Sequence, residues 1–151
     1  MERAKADRLI AELGTKLGVA DLALDDSGGA GLLIDDAVFL RIAVDEATGG
    51  FDIFAPLGGI APSPANLARA LSASFCWRPA GGTFGLDPTR NELVLQRHCP
   101  GADLDAAGLL QALEGVVAQA EAGMKALGGI EPAEPVSEKA ERMPIGGGLR
   151  G

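Results

Sequence analysis

GLLIDDAVFLRIAVD, residues 31–45, is the stretch on which the fold turns. Val38, Leu40, Ile42 and Val44 alternate with Phe39, Arg41, Ala43 and Asp45, the period of a half-buried strand. Just upstream, Leu32 and Ile34 share a face, and Asp35-Asp36 reads as a tight turn joining two strands. Thr48-Gly49-Gly50 is the next turn and FDIFAPL, residues 51–57, the third strand. Connections this short cannot carry a crossover, so the three strands form an antiparallel meander.

Outward from the meander the period changes to that of helices. Residues 2–17 place Leu9, Leu13 and Leu17 four apart with Ile10 beside them, and Gly18 stands where a left-handed C-cap is wanted. Gly14, inside this helix, costs it up to about 1 kcal/mol of propensity. After the meander, Ser63 is a candidate N-cap and Pro64 a first helical residue, followed by Leu67, Leu71 and Phe75. GGTFGLD and ELVLQRH then form a hairpin about the turn Pro88-Thr89-Arg90-Asn91. A long helix spans about 103–127, capped by Asp103 or Asp105, with a stripe from Leu109 through Leu113, Val116, Val117, Ala120 and Met124 to Leu127. The order α-β-β-β-α-β-β-α predicts an α+β fold in which an antiparallel sheet packs with three helices.

The 151 residues are one domain's worth, and a chain of this length hides roughly two-thirds of its unfolded surface. Residues 1–127 read as that single domain. Residues 128–151 are rich in proline, glycine and glutamate and read as a mobile tail, because they hold too little apolar surface to offset the entropy of ordering. Hydrophobic residues make up 47% and charged residues 23%, ordinary globular usage. Acidic side chains outnumber basic ones by 21 to 13, for a net charge of −8. Such a surface repels polyanions, which argues against nucleic acid or an anionic membrane as the main partner. No run of about 18 apolar residues is present to span a bilayer, and the first turns, MERAKADRLIAEL, lack the apolar core of a secretory signal.

Few residues invite catalysis. Cys76 and Cys99 form no CxxC pair and read as two reduced thiols. His98, the single histidine, adjoins Cys99, but neighbours on a strand point to opposite faces and a structural zinc needs four ligands. Gly81-Gly82-Thr83-Phe84-Gly85 lacks the lysine and hydroxyl of a phosphate loop and reads as a hairpin strand with a tight bend. Asp25-Asp26 and Asp35-Asp36 do not have the spacing of a calcium loop. No metal site, cofactor or catalytic constellation is expected.

What remains is spare apolar surface. Phe39 and Ala43 lie on the alternate face of the second strand, and Phe54 opposes Phe51 and Ile53 on the third. Either helices cover both faces of the sheet within one molecule, or one face waits for a partner or a second copy.

Over residues 5–127 the chain resembles the small acidic, homodimeric type III secretion chaperones of the CesT/Tir-chaperone family, the class I effector chaperones. The resemblance is carried by the first helix with its Leu17-Gly18 ending, by LLIDD…VFLRIAV, by the APLG segment at Ala55 to Gly58 and by the helix LARALSASF. Its most specific pieces are GGTFGLDPTRNELVLQR and DLDAAGLLQALEGVVAQAE. Ala80 departs from a threonine frequent in such chaperones before the paired glycines, and Ser74 from a frequent asparagine.

The resemblance implies a cytoplasmic bacterial protein, active without cofactor. It would bind the N-terminal segment of a secreted effector in extended, non-globular form and keep it competent for export. Its implied partners are its own second copy, the effector and the secretion apparatus. Family position places the two-fold interface on Leu67, Leu71, Phe75 and Trp77, and effector contacts on Leu9, Leu13, Leu32, Ile34, Leu40 and Phe54. Two rival readings stand beside it: a regulatory partner within the secretion system using the same fold, and a small enzyme using Cys76, Cys99 or His98.

Overall fold

Eight elements follow the expected order: α1 (Arg3–Leu17), β1 (Gly29–Ile34), β2 (Val38–Asp45), β3 (Gly50–Pro56), α2 (Pro64–Phe75), β4 (Thr83–Asp87), β5 (Glu92–Cys99) and α3 (Ala106–Gly128). The structure, a computed structural model, describes residues 1–75 and 81–128. The expected tail from residue 129 onward, together with Cys76, Trp77 and Ala80, lies outside the described residues.

Local chemistry explains where the elements begin and end. Gly18 caps α1 in the left-handed region at φ 69°, and the following Val19 N–H donates to the Gly14 carbonyl at 2.9 Å. Gly14 also has a packing reason to be glycine. A Cβ there would sit 2.8 Å from the Cβ of Leu22, where the chain leaving the helix folds back against it. Asp35 and Asp36 both adopt positive φ, 49° and 55°, and the Ala37 N–H donates to the Ile34 carbonyl at 3.0 Å. This is the mirror-image turn whose twist suits a two-residue hairpin. Ser63 caps α2 by accepting the Asn66 N–H at 3.2 Å, with Pro64 as the first helical residue. Of the two aspartates expected at the start of α3, Asp105 is the cap, accepting the Gly108 N–H at 2.7 Å.

The strands form one antiparallel sheet in the order β1-β2-β3-β5-β4. The meander is therefore extended by the second hairpin, with β5 against β3 in a register that runs from Phe51↔Cys99 to Pro56↔Val94. In the GLDPTRN turn the Asp87 carboxylate accepts the N–H groups of Thr89 and Arg90, and Asn91 turns the chain at φ 51°. Helices are fastened to the β4 end by side chains. The Gln119 amide of α3 both accepts from and donates to the Gly82 backbone, at 2.7 and 2.9 Å. The Ser74 hydroxyl of α2 accepts the Phe84 N–H at 2.9 Å.

The helices lie on one side of the sheet. α3 crosses β5, β3 and β2, carries α1 on its flank and touches α2, which packs on β4. Beneath them Leu40, Ile42, Phe51, Ile53, Leu93 and Leu95 meet Ile10, Leu13, Leu109 and Val116, all fully buried. Each such side chain contributes roughly 1.5–3 kcal/mol relative to exposure. Of the alternatives left open by the sequence, helices on both faces is the one the structure excludes among the described residues.

Candidate functional site

Among the described residues no helix lies over the opposite face of the sheet. Alternation along β2, β3 and β5 turns Phe39, Arg41 and Ala43, Asp52, Phe54 and Pro56, and Glu92, Val94, Gln96 and His98 outward. Two of the most exposed large apolar side chains are cross-strand partners on this face: Leu33 of β1, 59% exposed, and Phe39 of β2, 48% exposed. The Phe39 ring lies over Gly31, where an added Cβ would be 3.4 Å from it. A groove of about 700 Å³ runs along the face, its apolar lining supplied by Phe39, Phe54, Pro56, Leu86 and Val94. Arg41, Arg90, Asp87 and Glu92 place both charge signs within that lining. A second cavity of about 540 Å³ shares Phe54 and Gln96 with the first and reaches His98. The sheet ends beside the groove in two edge strands, β1 and β4.

The six residues nominated for effector contact divide sharply. Leu13 and Leu40 are fully buried, and Leu9 and Leu32 are nearly so, at 7% and 4% exposure. Their side chains fill the space between sheet and helices and have no area to offer a partner, which corrects that part of the nomination. Phe54 lines the open groove, and Ile34 borders a small apolar cleft between α1, β1 and α3. Leu33, Phe39 and Val94 belong to the open face and were not nominated. Arg41 was the available signal, because the row of β2 that carries a charged residue is the row that faces water.

A second apolar patch stands apart from the sheet. Leu71 and Phe75 of α2 are 70% and 88% exposed, while Leu67 is half-buried against the core. These three lie along one side of α2; Trp77, the fourth residue nominated for the interface, falls outside the described residues. Exposed apolar side chains of this size, clustered at helical spacing, are candidates for a contact surface.

Of the residues considered for catalysis, Cys99 and His98 do not converge, and Cys76 lies outside the described residues. Cys99 points into the core, where burial pushes its thiol above the ordinary range, while His98 points to the open face. A raised thiol pKa and a side chain turned from the imidazole both disfavour nucleophilic chemistry at Cys99. The His98 ring is instead held by polar partners: Nδ1 is 2.8 Å from the Asp52 carboxylate and Nε2 is 3.1 Å from the Thr48 hydroxyl. Thr48 donates in turn to Asp45. That bond, with one from the Ala47 N–H, holds the Asp45 carboxyl below the usual carboxylate range. Among the described residues no helix is long and apolar enough to cross a membrane.

Solved structures share this architecture. A chain of the ExsC–ExsE complex superposes with a TM-score of 0.75 at 23% identity, covering 88% of this chain and 98% of its own. A chain of the HopA1–SchA chaperone–effector complex gives 0.66 at 22% identity, covering 78% and 91%. The Yersinia pestis type III secretion chaperone SycH, in complex with a fragment of YscM2, gives 0.63 at 18% identity, covering 78% and 98%. At these identities the likeness is one of fold. No curated protein matches the sequence. The profile of the Tir chaperone protein (CesT) family matches residues 8–123, more than half of the chain, and the protein belongs to that family.

Proposed function

We propose that this protein is a homodimeric, cytoplasmic type III secretion chaperone that binds the N-terminal segment of an effector in extended form and keeps it competent for export. The observation that carries the reading is the uncovered apolar sheet face beside a free edge strand, in a member of the Tir chaperone family. An extended segment adds its backbone to the β1 edge and lays alternate side chains over Leu33 and Phe39 toward the groove at Phe54. Ordering such a segment costs about 2–5 kcal/mol or more. Each 100 Å² of apolar contact contributes about 2.5 kcal/mol, so a few hundred square ångströms offset that cost. The net charge of −8 keeps the protein soluble while these patches are empty.

In the same reading, the α2 stripe of Leu67, Leu71 and Phe75, continued by Trp77, pairs two copies about a two-fold axis, and residues 1–127 suffice for both tasks. The protein performs no catalysis. The HopA1–SchA structure is by its name a chaperone–effector complex, which supports the same role for this chain. Co-expression with the product of the neighbouring gene, followed by limited proteolysis, tests the proposal. The expected result is a protected N-terminal segment of that product co-purifying with the chaperone. Retention of a folded C-terminal domain alone, or of nothing, overturns it.

A further inference from the structure

Asp45, Asp52 and His98 are distant in sequence and meet at one end of the open face because of sheet register. Asp52 and His98 are directly opposed across β3 and β5, and Asp45 closes β2 beside them. Their ligand atoms lie within 4.8 Å of one another, with His98 Nδ1 2.8 Å from Asp52 and 3.9 Å from Asp45. All three side chains are partly open to solvent, at 37%, 36% and 22% exposure.

We propose that this trio is a binding site for a divalent transition-metal ion of the zinc class, a property independent of the chaperone reading. Three lines of chemistry favour it. First, the donor set is an imidazole with two carboxylates, which suits zinc-class ions, whereas magnesium and calcium take oxygen donors. Second, donors around an ion bound at about 2.0–2.2 Å sit roughly 3–3.5 Å apart, and the observed separations bracket that spacing. Third, Thr48 engages Nε2, so the other ring nitrogen is already turned toward both carboxylates. A hydrogen bond at the remote nitrogen is the usual way a ligating histidine is oriented. Asp52 and His98 also line the second cavity, and three protein ligands leave at least one coordination position for water. Thr48 is a positioning residue in this arrangement and not a ligand.

The test titrates the full-length protein with zinc chloride by calorimetry and with cobalt chloride by absorbance, alongside His98→Gln, Asp52→Asn and Thr48→Val. Circular dichroism establishes that each variant is folded. The expected result is saturable binding of one ion per chain, a cobalt spectrum without a thiolate charge-transfer band, and affinity about tenfold or more weaker in His98→Gln and Asp52→Asn. Thr48→Val weakens binding less than either. Saturation not reached on the order of 100 µM overturns the proposal. So does binding that is unchanged in both ligand variants, or a thiolate band that places the ion on Cys76 or Cys99.

Discussion

Leu40 and Phe39 are neighbours on one strand, yet one is fully buried and the other 48% exposed. The two faces of this sheet are built from alternate residues of the same strands, and both carry large apolar side chains, the open face among polar and charged ones. Their difference lies in what covers them. Among the described residues the three helices gather over the Leu40 face and leave the Phe39 face open. Greasiness on the first face is spent on folding, and on the second it is available to a partner. An apolar row in a strand therefore does not reveal its use until the helices have been placed.

The comparison is broken most forcefully by truncating each face in turn. Leu40→Ala should cost about 2–5 kcal/mol of stability through lost burial and a residual cavity. Phe39→Ala should cost less than about 1 kcal/mol. Urea denaturation measures both, and equal losses would mean that the faces are not different in kind.

The α2 stripe sharpens the comparison, because it is exposed apolar surface with a different expected partner. Leu71→Asp with Phe75→Asp should weaken self-association at least tenfold, about 1.4 kcal/mol or more, with the monomer fold retained. Analytical ultracentrifugation reads this directly. A dimer of unchanged affinity would remove α2 from the interface, and a strict monomer in the unaltered protein would remove the interface altogether.

A smaller effect separates the polar rim of the open face from its apolar floor. The Ser27 hydroxyl and the Gly29 N–H hold the Asp25 carboxyl below the ordinary 3.8, and Thr48 and the Ala47 N–H do the same for Asp45. A carboxyl with a folded pKa lowered in this way contributes stability that is fully present above pH 3.8 and fades as pH falls through the folded value. Asp25→Asn and Asp45→Asn should therefore destabilise at neutral pH and converge with the unaltered protein in acid. A stability gap that stays constant down to pH 2.5, roughly a unit below the ordinary carboxylate value, would assign these hydrogen bonds no linkage to protonation.

Much of this fold was legible in sequence because its signals are local. The period of two in residues 38–44, the Asp-Asp turn, the caps at Gly18, Ser63 and Asp105, and the turn at Asp87 each act within a few residues. Gly14 costs α1 helix propensity, but the Leu22 contact that favours a glycine there was not legible, because it depends on the path of the following loop. The candidate site was less legible. Alternation shows that Leu32 and Leu40 share a face, but not that the helices close over it. The Asp45, Asp52 and His98 cluster was invisible for the same reason, as only the β3–β5 register brings residues 46 positions apart into contact.

The central claim is that the helix-free face, and not the core-facing row, carries the cargo. Its most direct test measures, by calorimetry, the affinity of the effector's N-terminal segment for the unaltered protein and for Leu33→Lys with Phe39→Glu. The account expects binding at least about tenfold weaker in the variant, with thermal stability and dimerisation unchanged. Equal affinity in the two proteins would contradict it.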